Sequence, residues 1–113
     1  MSLNSLVFKD YRGTHHTINV TDIVYVEAKY KGLIVRTADY KSWIIDGTLK
    51  SLSEDIGKSF IFINRMYLVN KTKITHISRV NKTQWEVVTK DIPARLPISR
   101  RRLDSVLRET KAV

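Results

Sequence analysis

The apolar residues of this chain arrive in short runs, each closed by a turn-forming residue. A sequence punctuated in that way has room for strands but not for long helices. Residues 17–26 alternate apolar and polar around Ile18, Val20, Ile23 and Tyr25. Further β-prone stretches follow at Leu33-Ile34-Val35, Trp43-Ile44-Ile45, Phe60-Ile61-Phe62-Ile63, Tyr67-Leu68-Val69, residues 74–80, Trp85-Glu86-Val87-Val88 and Arg95-Leu96-Pro97-Ile98. Between them stand Lys29-Tyr30-Lys31-Gly32, Ala38-Asp39-Tyr40 at hairpin spacing, Asn64-Arg65, Asn81-Lys82-Thr83 and Asp91-Ile92-Pro93, all expected as exposed loops or turns. The pattern predicts a meander of strands.

Two stretches change period. Leu49, Leu52 and Ile56 recur at i, i+3 and i+7, with Thr48 placed to cap the start and Gly57 the end, so a short amphipathic helix is expected over residues 48–56. Ser99 is placed to cap a final helix whose Leu103, Val106 and Leu107 make an apolar stripe that would pack on the sheet. Strands still outnumber helices, and the class is mainly β. With 113 residues and neither internal repeat nor linker, one domain is expected over residues 4–110, with Met1-Ser2-Leu3 read as a leader.

Several kinds of chemistry lack their raw materials. The chain has no cysteine, hence no disulfide, thiolate nucleophile or cysteine-ligated metal. His15 and His16 are adjacent and on a strand would face opposite ways, and His76 sits alone in a strand-like run, so neither a metal site nor a general base is expected. Its four glycines form no phosphate-binding loop, and no nucleophile elbow or carboxylate pair is visible. The expectation is a binding protein, not an enzyme, with no cofactor. No run approaches a membrane span and no secretory leader is seen, so a cytoplasmic location is expected.

Charge points to a partner. The chain carries 20 Lys and Arg against 11 Asp and Glu. Residues 1–56 hold seven basic and seven acidic side chains, whereas residues 57–113 hold thirteen and four, so the whole excess lies in the second half. Such a half attracts a polyanion through counterion release. Arg100-Arg101-Arg102 directly follow Ser99 and would lie in the first turn of the last helix, where the backbone dipole is already positive. That is locally unfavourable unless a phosphate meets both the guanidiniums and the free N–H groups. Asn64-Arg65 places a polar pair between two strands, and Asn with adenine or Arg with guanine are common base-reading pairs. Lys29-Tyr30-Lys31 is a third exposed cluster, with cations for phosphate and a ring for stacking. Solvated basic faces or ordinary hairpin polarity would account for each cluster taken alone.

Four ordered segments resemble the LytTR family of DNA-binding domains. Asp22-Ile23-Val24-Tyr25-Val26-Glu27-Ala28 is similar to its D-I-x-Y-[IV]-E-A strand, and Gly47-Thr48-Leu49-Lys50-Ser51-Leu52 to its short helix. Phe60-Ile61-Phe62-Ile63-Asn64-Arg65-Met66-Tyr67-Leu68-Val69-Asn70 resembles F-x-R-[IV]-H-R-S-[YF]-[LIV]-V-N, and Leu96-Pro97-Ile98-Ser99-Arg100-Arg101 resembles L-P-V-S-R-R. The resemblance implies about ten strands in an elongated β-β-β sandwich with one or two short helices. It also implies an output domain of a two-component response regulator. Such a domain sits behind a receiver domain and binds paired sites in double-stranded promoter DNA as a homodimer. Carried over by position, the family's DNA contacts fall on Lys29, Tyr30, Lys31, Asn64, Arg65, Ser99, Arg100 and Arg101. Three positions depart: Asn64 stands for the usual His, Met66 for the usual Ser and Phe62 for the usual Arg.

Two other readings compete. One is an RNA- or single-strand-binding β-domain with Tyr30, Tyr67 or Trp85 as stacking platforms; the other is a protein-interaction module whose charge is incidental. Aromatics spread among apolar strand residues favour core packing over a stacking face. The two expected helices lie far apart in the chain, which disfavours a helix-turn-helix.

Overall fold

The computed structural model describes residues 4–10, 12–29 and 31–110. Its elements run β1 (Ser5–Lys9), β2 (His15–Asn19), β3 (Ile23–Lys29), β4 (Gly32–Thr37), β5 (Ser42–Ile45), α1 (Leu49–Ile56), β6 (Phe60–Asn64), β7 (Tyr67–Asn70), β8 (Ile74–Arg79), β9 (Trp85–Thr89), β10 (Arg95–Ile98) and α2 (Leu103–Thr110). Single 3-10 turns, Val20–Asp22 and Lys71–Lys73, join β2 to β3 and β7 to β8. These ten strands of the described residues form three antiparallel sheets: a β1-β2 hairpin, a five-stranded sheet in the order β5-β4-β3-β7-β6, and a three-stranded sheet in the order β10-β9-β8. The mainly β sandwich with two short helices is the expected class, drawn out to 47 × 27 × 24 Å.

The five-stranded sheet lies between two separate cores. On one face Val26, Leu33, Val35, Phe60 and Leu68 pack with Leu6 and Ile18 of the hairpin and with Leu49, Leu52 and Ile56 of α1. On the other, Val24, Tyr25, Ile61, Ile63 and Val69 pack with Ile74, Val87, Leu96 and Ile98 of the three-stranded sheet and with Val106 of α2. Because strand side chains alternate between faces, a strand covered on both sides is apolar throughout. That is the physical reason for the unbroken run at residues 60–63, whereas β2, with only Ile18 buried, alternates. In β3 a register shift between Ile23 and Tyr25 puts Val24 and Tyr25 into the same core.

Both 3-10 turns carry the chain from one sheet to the next. Asn70, almost fully buried, fixes the second: its Nδ2 donates to the Ile23 carbonyl at 2.9 Å and its Oδ1 accepts from Thr72 N at 3.0 Å. The first divides the alternating stretch 17–26, expected as one strand, into β2 and β3. The sequence reading also passed over β1, a short strand paired only with β2.

The first helix begins and ends as expected: Thr48 Oγ1 accepts from Ser51 N at 3.1 Å, and Gly57 takes φ = 83°. The last helix differs. Ser99 N donates to Ile63 O at 2.9 Å, so Ser99 still runs alongside β6, and the helix starts only at Leu103. Arg100, Arg101 and Arg102 therefore form the turn before α2, not its first turn.

The two-core arrangement gives a direct contrast between two strands of the same sheet. Leu68, fully buried in the middle sheet, should cost about 2–5 kcal/mol on replacement by Ala. Ile44, on the edge strand β5 and 76% exposed, should change stability by no more than about 0.5 kcal/mol on the same replacement. Urea unfolding of both variants checks this; equal costs would mean that β5 is covered in solution.

Candidate nucleic-acid interface

Three chain reversals meet at one end of the middle sheet, and hydrogen bonds tie them together. Ala28 N, at the end of β3, donates to Met66 O in the β6–β7 turn at 2.8 Å. Asn64 Nδ2 donates to Pro97 O of β10 at 2.6 Å, and Ser99 N donates to Ile63 O at 2.9 Å. The β3–β4 connection, the β6–β7 turn and the corner between β10 and α2 are thereby held as neighbours. Lys31, Asn64, Arg65, Ser99, Arg100 and Arg101, separated by up to 70 positions, belong to these three reversals. Lys29 ends β3 beside them, and Tyr30 lies outside the described residues.

Asn64 has a different use from the one its residue type indicated. Its Oδ1 accepts from Met66 N at 2.7 Å and from Tyr67 N at 3.1 Å, while its Nδ2 reaches Pro97. Both acceptor positions of the amide oxygen are filled, so the acceptor needed for bidentate adenine recognition is already committed. An Asn that bonds backbone two residues ahead is the ordinary means of closing a turn, so the signal for this role was present in the sequence. Arg65, next to it, is exposed and lines an open groove.

That groove, about 780 Å³, has an apolar floor of Ala28, Leu33, Leu49 and Phe62 and is edged by Lys31, Lys50, Arg65 and Arg102. Gly32 shapes its wall: a Cβ there would stand 2.8 Å from the Ile45 carbonyl oxygen, so only glycine lets β4 begin this close to β5. Lys50, Phe62 and Arg102 are not among the contact residues expected from the sequence. The first is brought in by the position of α1, and the second reads as one more apolar strand residue. Arg102 alone had a signal, as the third member of the Arg run.

The cations here differ electrostatically from others of the chain. Lys71 lies 3.6 Å from Glu109, Arg95 lies 3.6 Å from Glu86, and Lys73 lies 2.6 Å from Asp91. The last hydrogen bond holds the Asp91 carboxyl below its usual range. Among the described residues no carboxylate pairs with Lys31, Arg65, Arg100, Arg101 or Arg102. Like charges without counter-charges on linked loops repel one another, and an anion that fills the space between them reverses the sign.

Among the described residues no group of His, Asp or Glu gathers as a metal site, and no helix is long and apolar enough to cross a membrane.

Comparison with known proteins agrees with this geometry. A search of curated proteins finds no match. Among solved structures, the chain is similar to the LytTr DNA-binding domain of a Bacillus cereus protein described provisionally as a methyl-accepting/DNA response regulator. The TM-score is 0.81 at 19% identity, over 95% of this chain and 96% of that one. At that identity the likeness concerns the fold. The model of the LytTr DNA-binding domain family matches residues 13–110, a span that holds the three linked reversals and every buried residue of both cores except Leu6 of β1. The chain belongs to the LytTr DNA-binding domain family.

Proposed function

We propose that this chain binds specific sites in double-stranded DNA as the output domain of a bacterial transcription regulator. In this reading it is a cytoplasmic two-component response regulator whose full-length form includes a receiver domain and acts as a homodimer on paired promoter sites. The observation that carries the proposal is the joining of three loops into one surface on which Lys31, Arg65, Arg100, Arg101 and Arg102 have no carboxylate partner among the described residues. Its role is binding and not catalysis.

The residues divide by chemistry. Arg65 and Arg100 offer forked donors suited to a guanine edge and are assigned to base reading; Arg101 serves either base or phosphate. Lys29 and Lys31 are point charges suited to phosphate, with Tyr30 between them as an apolar contact to sugar or base. Asn64 and Ser99 act by position, since their bonds to Pro97 and Ile63 set where Arg65 and Arg100 stand.

A single-strand reading is less well supported. Tyr67 is half-buried, donates to Glu27 Oε2 at 3.1 Å and meets the Tyr25 ring edge-on at 5.8 Å, so its ring belongs to the sheet. Trp85 is half-buried with Arg79 over its ring at 5.6 Å.

On this proposal, affinity for a duplex selected from a random pool falls steeply with salt, with a log-log slope of about −0.9 for each phosphate contacted. Fluorescence anisotropy across a salt series checks it. A flat salt response, or tighter binding to the single strand of the same sequence, is the outcome that sinks it.

Base reading and phosphate binding separate in the variants. Arg65→Ala and Arg100→Ala should each cost about 1–3 kcal/mol and relax preference at particular base pairs. Lys31→Ala should weaken all sites about equally and reduce the salt slope by about 1. Titration of the selected site and its single-base variants distinguishes the two patterns. An unchanged rank order of sites in both Arg variants, with circular dichroism intact, removes the base-reading assignment.

A further inference from the structure

The guanidinium of Arg102 lies 5.3 Å from the centroid of the Phe62 ring. The two residues belong to different reversals, Phe62 to β6 and Arg102 to the corner before α2, and both line the basic groove. Phe62 is the position at which the LytTR pattern has an Arg.

The placement of Arg102 is otherwise unexplained. Its N donates to Ser99 O at 3.0 Å, and its carbonyl accepts from Val106 N at 2.9 Å and from Ser105 Oγ at 3.1 Å, so its backbone is fixed immediately ahead of the first residue of α2. At that position a side chain with an oxygen would cap a free helix N–H, whereas Arg has only donors and adds a positive charge to the positive end of the helix. No carboxylate among the described residues offsets it. The face of an aromatic ring does attract a cation, and a guanidinium lying over a ring keeps the N–H donors at its edge available. Phe62 is itself half-buried and packs against the core beneath the groove, so the ring is a firm support for a flexible side chain.

We propose that Arg102 is a phosphate contact of this domain and that Phe62 is its positioning residue. Over the ring, Arg102 presents its edge donors to one oxygen pair of the DNA backbone, a contact that holds register without reading sequence. This inference rests on the duplex-binding reading above.

The test is a double-mutant cycle in duplex binding. Arg102→Ala should weaken every site by about three- to tenfold, the size of one charge-assisted contact, and reduce the salt slope by about 1. Phe62→Leu, which keeps an apolar side chain but removes the ring, should give part of that loss with Arg102 present and none in the Arg102→Ala background. Phe62→Tyr, which restores a ring, should recover binding. Equal losses from Phe62→Leu in both backgrounds would mean that Phe62 acts through packing alone and would overturn the proposal. So would an Arg102→Ala variant that relaxes preference at one base pair instead of lowering the salt slope, or one that binds as the unmodified chain does. If the unmodified chain shows no salt-dependent duplex binding, the duplex reading fails and this inference with it. The variant outcomes, by contrast, bear on Arg102 and Phe62 only. Thermal melts of each variant separate loss of binding from loss of fold.

Discussion

A sheet that must be covered on both faces governs this molecule. Five strands of which β3, β7 and β6 place apolar residues in both cores cannot meet water on either face, and every other element serves as cover. The β1-β2 hairpin and α1 close one face; the three-stranded sheet and α2 close the other. Stacking layers in this way lengthens the molecule along one axis, and strand reversals then collect at the ends of the layers. The site stands where the β3–β4 and β6–β7 reversals of the middle layer meet the β10–α2 corner of an outer one. It is a by-product of the layering, given chemistry by the residues that occupy it.

How much of this was readable in the sequence depended on the range of the interaction. Local rules found the limits of α1, because Thr48 and Gly57 act within one helical turn, and found β4 to β10, because turn residues bracket each run. They failed where a distant partner decides. Ser99 has the composition of a helix cap, but its backbone is claimed by Ile63, thirty-six positions earlier, so the helix starts later. Residues 17–26 carry apolar side chains along their length, yet the chain must leave the outer layer for the middle one, and Val20–Asp22 makes that transfer. β1 has one partner and one buried residue, Leu6, which is too little pattern to stand out.

The same distinction applies to the site. Residue type identified the cations, since a cation in a turn is exposed almost wherever the turn sits. Residue type left two uses open for Asn64, whose amide serves equally to read a base or to close a turn; its bonds to Met66 N, Tyr67 N and Pro97 O commit it to the turn. It also could not place Phe62 beneath Arg102, because forty positions separate them and each alone has an ordinary explanation.

The ties among Ala28, Met66, Asn64, Pro97, Ile63 and Ser99 have one more effect. Free loops lose conformational entropy when a partner immobilises them, and that loss subtracts from the affinity their contacts supply. In this domain the reversals are already joined at their bases, so much of the ordering belongs to folding and not to association. The spacing between cations on different loops is correspondingly fixed by the protein. On the function proposed above, a duplex whose groove geometry differs must then deform to fit it, and the stiffness of the partner enters the affinity.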